Sequence, residues 1–135
     1  MGAWGSGNFD NDDALDWLSD LAGSPDFAVG RAALDETGDG YLEAPEASAA
    51  LAAAEIVAAA LGRPAASLPD EATAWLAAHR DQLAPRDAAL ALAAVDRVLG
   101  EDCELRELWE EGEEDDGWET AVQDLRRRLF EARPV

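Results

Sequence analysis

Thiol and imidazole groups are nearly missing from this chain. Its 135 residues include one cysteine, Cys103, and one histidine, His79. A lone thiol allows no internal disulfide and suits a reducing compartment. A zinc site or a Cys–His nucleophile would have to draw on these two residues, which a whole predicted helix separates, and no ligand spacing supports either. Cys103 also lies among Glu101, Asp102 and Glu104, a neighbourhood unsuited to a thiolate nucleophile. Positive charge is scarce as well. Ten basic side chains against 30 acidic ones leave a net charge of −20. So acidic a surface repels phosphate backbones and anionic lipid, which excludes nucleic-acid and membrane partners and favours basic proteins, divalent cations or plain solubility.

Long apolar runs are absent. The longest, residues 47–61, is too short to span a bilayer and carries Glu55. The N-terminus lacks the basic start and apolar run of a signal peptide. The opening MGAWGS has Gly2 and Ser6 at the spacing of a myristoylation signal, but the acidic residues that follow replace the basic patch a single acyl chain needs. The expectation is a cytoplasmic protein. Phosphate-binding chemistry is missing too, because GAWGSG lacks the lysine and Ser/Thr of a P-loop and no strand precedes it. Carboxylates are so numerous that no pair of them marks a general acid and base.

What is present is helical periodicity. Trp4 and Phe9 are apolar anchors in a glycine-rich lead, and Asn11, Asp12 or Asp13 can cap a helix reaching residue 21. Its apolar stripe is Ala14, Leu15, Trp17, Leu18 and Leu21, while Asp12, Asp16 and Asp20 stack on another face. Like charges one turn apart destabilise a helix slightly; solvent, a metal or a basic partner can relieve them. Gly23-Ser24-Pro25 breaks the chain before a short helix over 26–34. Pro45 opens a helix that stops at Gly62 and is apolar nearly all round, the signature of a buried central element. Glu55, in the middle of it, calls for an arginine such as Arg31 or Arg97. Two further helices begin at Pro69 and Pro85, the first with Trp75, Leu76 and Leu83 inward, the second with Leu90, Ala94, Val98 and Leu99. CELRELWEE is a short helical piece, GEEDDG breaks it, and a last helix from Trp118 aligns Ala121, Val122, Leu125 and Leu129. Its Arg126-Arg127-Arg128 run suits the negative end of the helix dipole. With no strand alternation and no internal repeat, the reading is a single all-α domain over 1–135, of about six helices around an alanine-rich central helix.

One stretch resembles a metal loop. In DETGDGYLEAPE, residues 35–46, the oxygen-ligand positions of an EF-hand hold Asp35, Thr37, Asp39, Tyr41 (through its carbonyl), Glu43 and Glu46, and Gly40 takes the turn. Against calcium, Thr37 replaces a carboxylate or amide, Pro45 takes the eleventh place and no second loop pairs with it.

MGAWGSGNFDNDDALDWLSDL resembles the opening of a family of small bacterial proteins known only as a domain of unknown function, MGAWG-x-G-x-F-x-N-D followed by an amphipathic helix. YLEAPEASAALAAAEIVAAALGRP and CELRELWEE resemble it as well, with Cys103 where serine or asparagine is more typical. The resemblance covers nearly the whole chain and implies a fold but no activity, cofactor or site. It also implies that the conserved-looking stretch starts at Tyr41, so that Glu43 and Glu46 open the helix and Asp35, Thr37 and Asp39 form turns. The leading expectation is a non-enzymatic, acidic protein that binds a basic protein partner, as an antagonist or immunity protein would. A calcium module at residues 35–46 is the alternative.

Overall fold

The computed structural model describes residues 8–9, 12–35, 37, 40–65, 68–83, 85–100, 102–110 and 117–132. Trp4, Asn11, Asp39 and the carboxylates of GEEDDG lie outside these residues. Among the described residues the chain forms seven α-helices: α1 Asp12–Ala22, α2 Ala28–Asp35, α3 Ala44–Ala60, α4 Asp70–His79, α5 Pro85–Leu99, α6 Glu104–Glu110 and α7 Trp118–Ala132. A 3-10 turn, Arg80–Gln82, extends α4. The described residues contain no strand, only an isolated parallel bridge between Leu42 and Cys103.

The core is built around α3, which packs against each of the other six helices. From Ala47 to Ala59 every residue of α3 but the half-buried Ala49 is buried. Alanine makes this possible, since small side chains let neighbouring helix backbones approach closely from all sides. Bulk comes from Phe27, just before α2, and from the surrounding helices, through Leu18, Leu21, Leu34, Leu76, Leu125 and Leu129, all under 2% exposed. Of the α1 stripe, Ala14, Trp17, Leu18 and Leu21 are buried and Leu15 is half-buried at its edge.

Helix ends follow local chemistry. α3 stops where Gly62 takes φ +89°; the Gly62 N–H donates to Ala59 O at 3.1 Å and the Arg63 N–H to Ala58 O at 2.8 Å. This paired closure satisfies two orphan carbonyls and needs a residue tolerant of left-handed backbone. The start of α2 falls at Ala28, two residues later than expected from the sequence, because Asp26 stays outside and its Oδ1 accepts the Ala28 N–H at 3.0 Å. α2 lies close to its neighbour loop: a Cβ on Gly30 would sit 2.2 Å from the Phe27 ring. In α5 the buried face is Ala88, Ala91, Ala94, Val95 and Val98, and Leu90 and Leu99 are half-buried. The inward stripe is therefore rotated from the one read by leucine alone, because α5 packs on the alanine-rich α3 and also on α7.

No helix is long and apolar enough to cross a membrane among the described residues.

Candidate functional site

Charge is unevenly distributed over the surface. The α1 side chains Asp12, Asp13, Asp16 and Asp20 are exposed and enter no ion pair among the described residues. Several of the arginines are engaged with other acids. Arg31 grips Asp87 with Nε and Nη2, at 3.2 and 3.3 Å, and donates to Gln82 O. Arg126 meets Asp96 at 2.6 Å, Arg63 meets Glu131 at 3.0 Å, and Arg127 joins Asp124 and Glu131. α1 carries no basic residue of its own, and its four exposed aspartates leave that helix face acidic.

A second acidic surface forms where α3 and α6 begin. The bridge is held by the Leu42 N–H donating to Asp102 O and the Glu104 N–H donating to Leu42 O, both at 2.8 Å. Asp102 has φ +61°, an uncommon conformation for a residue with a Cβ. Its carbonyl accepts from both Leu42 and Arg97 Nη2, which fixes it in place. Arg97 Nη2 also donates to Gly40 O. Glu43 precedes α3 without capping it through its side chain; instead Glu104 Oε1 reaches across and accepts the Ala44 N–H at 2.8 Å. Leu42 and Cys103 are buried beneath the bridge, whereas Tyr41 is 54% exposed above it. The Tyr41 hydroxyl donates to Glu107 Oε2 at 2.7 Å. That hydrogen bond to the carboxylate, more than partial burial or the Glu104 charge, favours the neutral phenol and pushes its pKa up to about 12.

Under the surface lies a buried polar network. Arg128 Nη1 and Nη2 donate to Glu55 Oε1 and Oε2 at 2.8 and 2.9 Å. Asn8 Nδ2 adds a third bond to Oε2 at 2.8 Å. Arg128 also reaches Arg63 O and Asp124 Oδ2. The expected partners of Glu55, Arg31 and Arg97, are thus corrected: they serve Asp87 and the Gly40 and Asp102 carbonyls, and the ion pair comes from α7. Residues 55 and 128 are far apart in sequence and share no periodicity, so only the fold reveals the pair. Burial works against the Arg128 cation, yet Glu55 and Asp124 outweigh it and hold the guanidinium above its ordinary range. At Asp124 burial pushes the carboxyl up, and Arg127 and Arg128 together bring it below its usual value.

The remaining singled-out residues have structural surroundings. Cys103 is 1% exposed. His79 stacks on Trp75 with ring centroids 4.5 Å apart, and its Nδ1 lies 2.8 Å from Trp75 O. Of the loop residues, Asp35 ends α2 and is exposed, Glu46 is exposed in the first turn of α3 and Glu43 is exposed just before it. Thr37 is buried with its hydroxyl donating to Leu34 O at 2.8 Å. Gly40 takes φ +93°. No cluster of three or more His, Cys, Asp or Glu able to hold a metal occurs among the described residues. A cleft of about 310 Å³ between the end of α3 and α4 is lined by Ala59, Pro64, Leu68, Leu76 and Arg80. α4 runs along it, from Thr73 in its first turn to Arg80 just past its end.

These features define an all-α, acidic domain with a central alanine helix. The chain belongs to the family described as Domain of unknown function (DUF4259), whose model matches residues 2–121. No curated protein and no solved structure matches it. Two of the family-like stretches of the sequence, those opening at Tyr41 and at Cys103, are the ones that the bridge joins.

Proposed function

We propose that this domain is a non-catalytic cytoplasmic protein that binds a basic protein partner, in the manner of an antagonist covering a basic site. The observation that carries the reading is the segregation of charge: the α1 aspartates have no counterion among the described residues, while the arginines of α2 and α7 are taken up in ion pairs on other faces. Such a surface accelerates encounter with a cationic partner and repels anionic competitors. His79 and Cys103 agree with a binding role, since one is occupied in stacking and the other is buried.

The test is affinity capture from host lysate on immobilised protein, beside a variant carrying Asp12→Asn, Asp16→Asn and Asp20→Asn. A basic protein should be retained in low salt, released as salt rises, and captured more slowly by the variant. Retention of only neutral or acidic proteins, or retention indifferent to salt, would refute the reading.

A further inference from the structure

Among the described residues three large apolar side chains are exposed: Tyr41, Leu108 and Phe130. Phe130 lies on α7 beside arginines and acids already joined in ion pairs, Arg126 with Asp96 and Arg127 with Asp124 and Glu131. Tyr41 and Leu108 share an acidic setting. The Tyr41 hydroxyl sits on Glu107, the residue before Leu108, and the Leu42–Cys103 bridge places Tyr41 beside Asp102 and Glu43 beside Glu104. Glu43, Glu46, Asp102 and Glu107 are exposed and Glu104 is half-buried. None of these carboxylates enters an ion pair among the described residues. Three of them, Glu46, Glu104 and Glu107, have a local reason to be there, because acids suit the first turns of α3 and α6. The Tyr41 hydroxyl is used in the bond to Glu107, but the exposed face of its ring has no such reason, and Leu42 next to it is already engaged in the core.

We propose that this junction of α3 and α6, with Tyr41 at its centre and Leu108 beside it, is the docking surface, and that its occupant is an arginine-bearing segment of the basic partner. The inference rests on the protein-binding reading and locates it. An arginine is the fitting side chain on three counts. Its guanidinium plane stacks on an aromatic face, its fork pairs with the flanking carboxylates, and its methylene stem covers Leu108. The hydroxyl bond to Glu107 holds the ring in one orientation, which lowers the ordering cost of binding. An aromatic anchor inside a charged rim is the usual anatomy of a binding hot spot.

Tyr41 is the chain's one tyrosine, so incorporation of 3-fluorotyrosine gives a single fluorine signal at the proposed centre. The probe is a short synthetic peptide of alternating arginine and leucine, added to the full chain in low salt. The expected result is a saturable shift of that signal. Tyr41→Ser and Leu108→Ser should each weaken binding by about tenfold while leaving the melting curve in place. Saturable binding with a silent fluorine signal, weakened by Asp16→Asn and Asp20→Asn, would overturn this location and leave the protein-binding reading standing on α1. Absence of saturable binding would overturn both. A fluorine shift that follows protein concentration alone, with dimer formation in sedimentation, would make the occupant a second copy and also overturn the proposal.

Discussion

Replacing Arg128 with alanine strands Glu55 inside the protein. The Glu55 side chain is 3% exposed, on a helix otherwise made of alanine, isoleucine, valine and leucine around it, and only the Asn8 amide would remain to meet its charge. Removing one partner of a buried ion pair costs about 3–5 kcal/mol, because the other charge is left without compensation. Loss of the bonds to Arg63 O and Asp124 places the expectation in the upper half of that range. Against a net stability of roughly 5–15 kcal/mol for a domain, this is a large fraction. At roughly 3–5 °C per kcal/mol for a chain of this size, the melting temperature should fall by roughly 12–25 °C. Urea unfolding followed by tryptophan fluorescence reads the free energy directly, with an unchanged slope showing that only stability has moved. The double variant Glu55→Leu, Arg128→Met should recover most of the loss, since an apolar pair of similar volume has no charge to desolvate. A cost under about 1 kcal/mol for Arg128→Ala would mean that Glu55 is hydrated or finds another cation, and the account of this network would be wrong.

The one tyrosine should titrate in a single absorbance transition near 12 rather than its ordinary 10.0; a raised phenol pKa means that the interaction is intact below 10.0 and is lost as pH climbs toward 12, and Glu107→Gln should move the midpoint back down. A midpoint near 10.0 in the unmodified protein would show that the Tyr41–Glu107 bond does not persist in solution. Gly30→Ala should destabilise the fold by about 1–3 kcal/mol in chemical denaturation, because the new methyl falls on the buried Phe27 ring, and a neutral outcome would contradict the close packing there. Calorimetric titration with calcium in physiological salt and magnesium should give only unsaturable heat, unaltered by Asp39→Ala or Glu46→Ala. A saturable site of about micromolar affinity lost in both variants would establish residues 35–46 as an ion-binding loop.

Periodicity and punctuation carried most of the fold. The 3.6-residue stripe of α1, the all-round apolarity of α3 and the glycine at its end each state a local rule, and each is obeyed at the position where it was read. α5 shows the limit: its leucines suggested one face, but a helix facing an alanine surface on one side and α7 on another turns its small residues inward. The ion pair of Glu55 was foreseeable in kind and not in partner, because burial of a carboxylate demands a cation without saying which. Arg128 was read as a response to the helix dipole, an equally valid local reason for arginine at a helix end. The docking surface was less visible still. Tyr41 drew notice only as a backbone ligand in a metal-like loop, and nothing in the spacing of residues 41 and 103 announces that they meet.

The central helix has two polar needs that it cannot meet itself, the N–H of Ala44 and the charge of Glu55, and both are met by residues made late, Glu104 and Arg128. During synthesis the first half of the chain therefore leaves the ribosome with its most apolar helix unfinished at one end and carrying in its middle a carboxylate that only the Asn8 amide meets. Closure must wait for α6 and α7, so the nascent protein is committed to folding as a whole rather than helix by helix. The same arrangement makes truncation before α7 a lesion of the centre of the molecule, not of its edge.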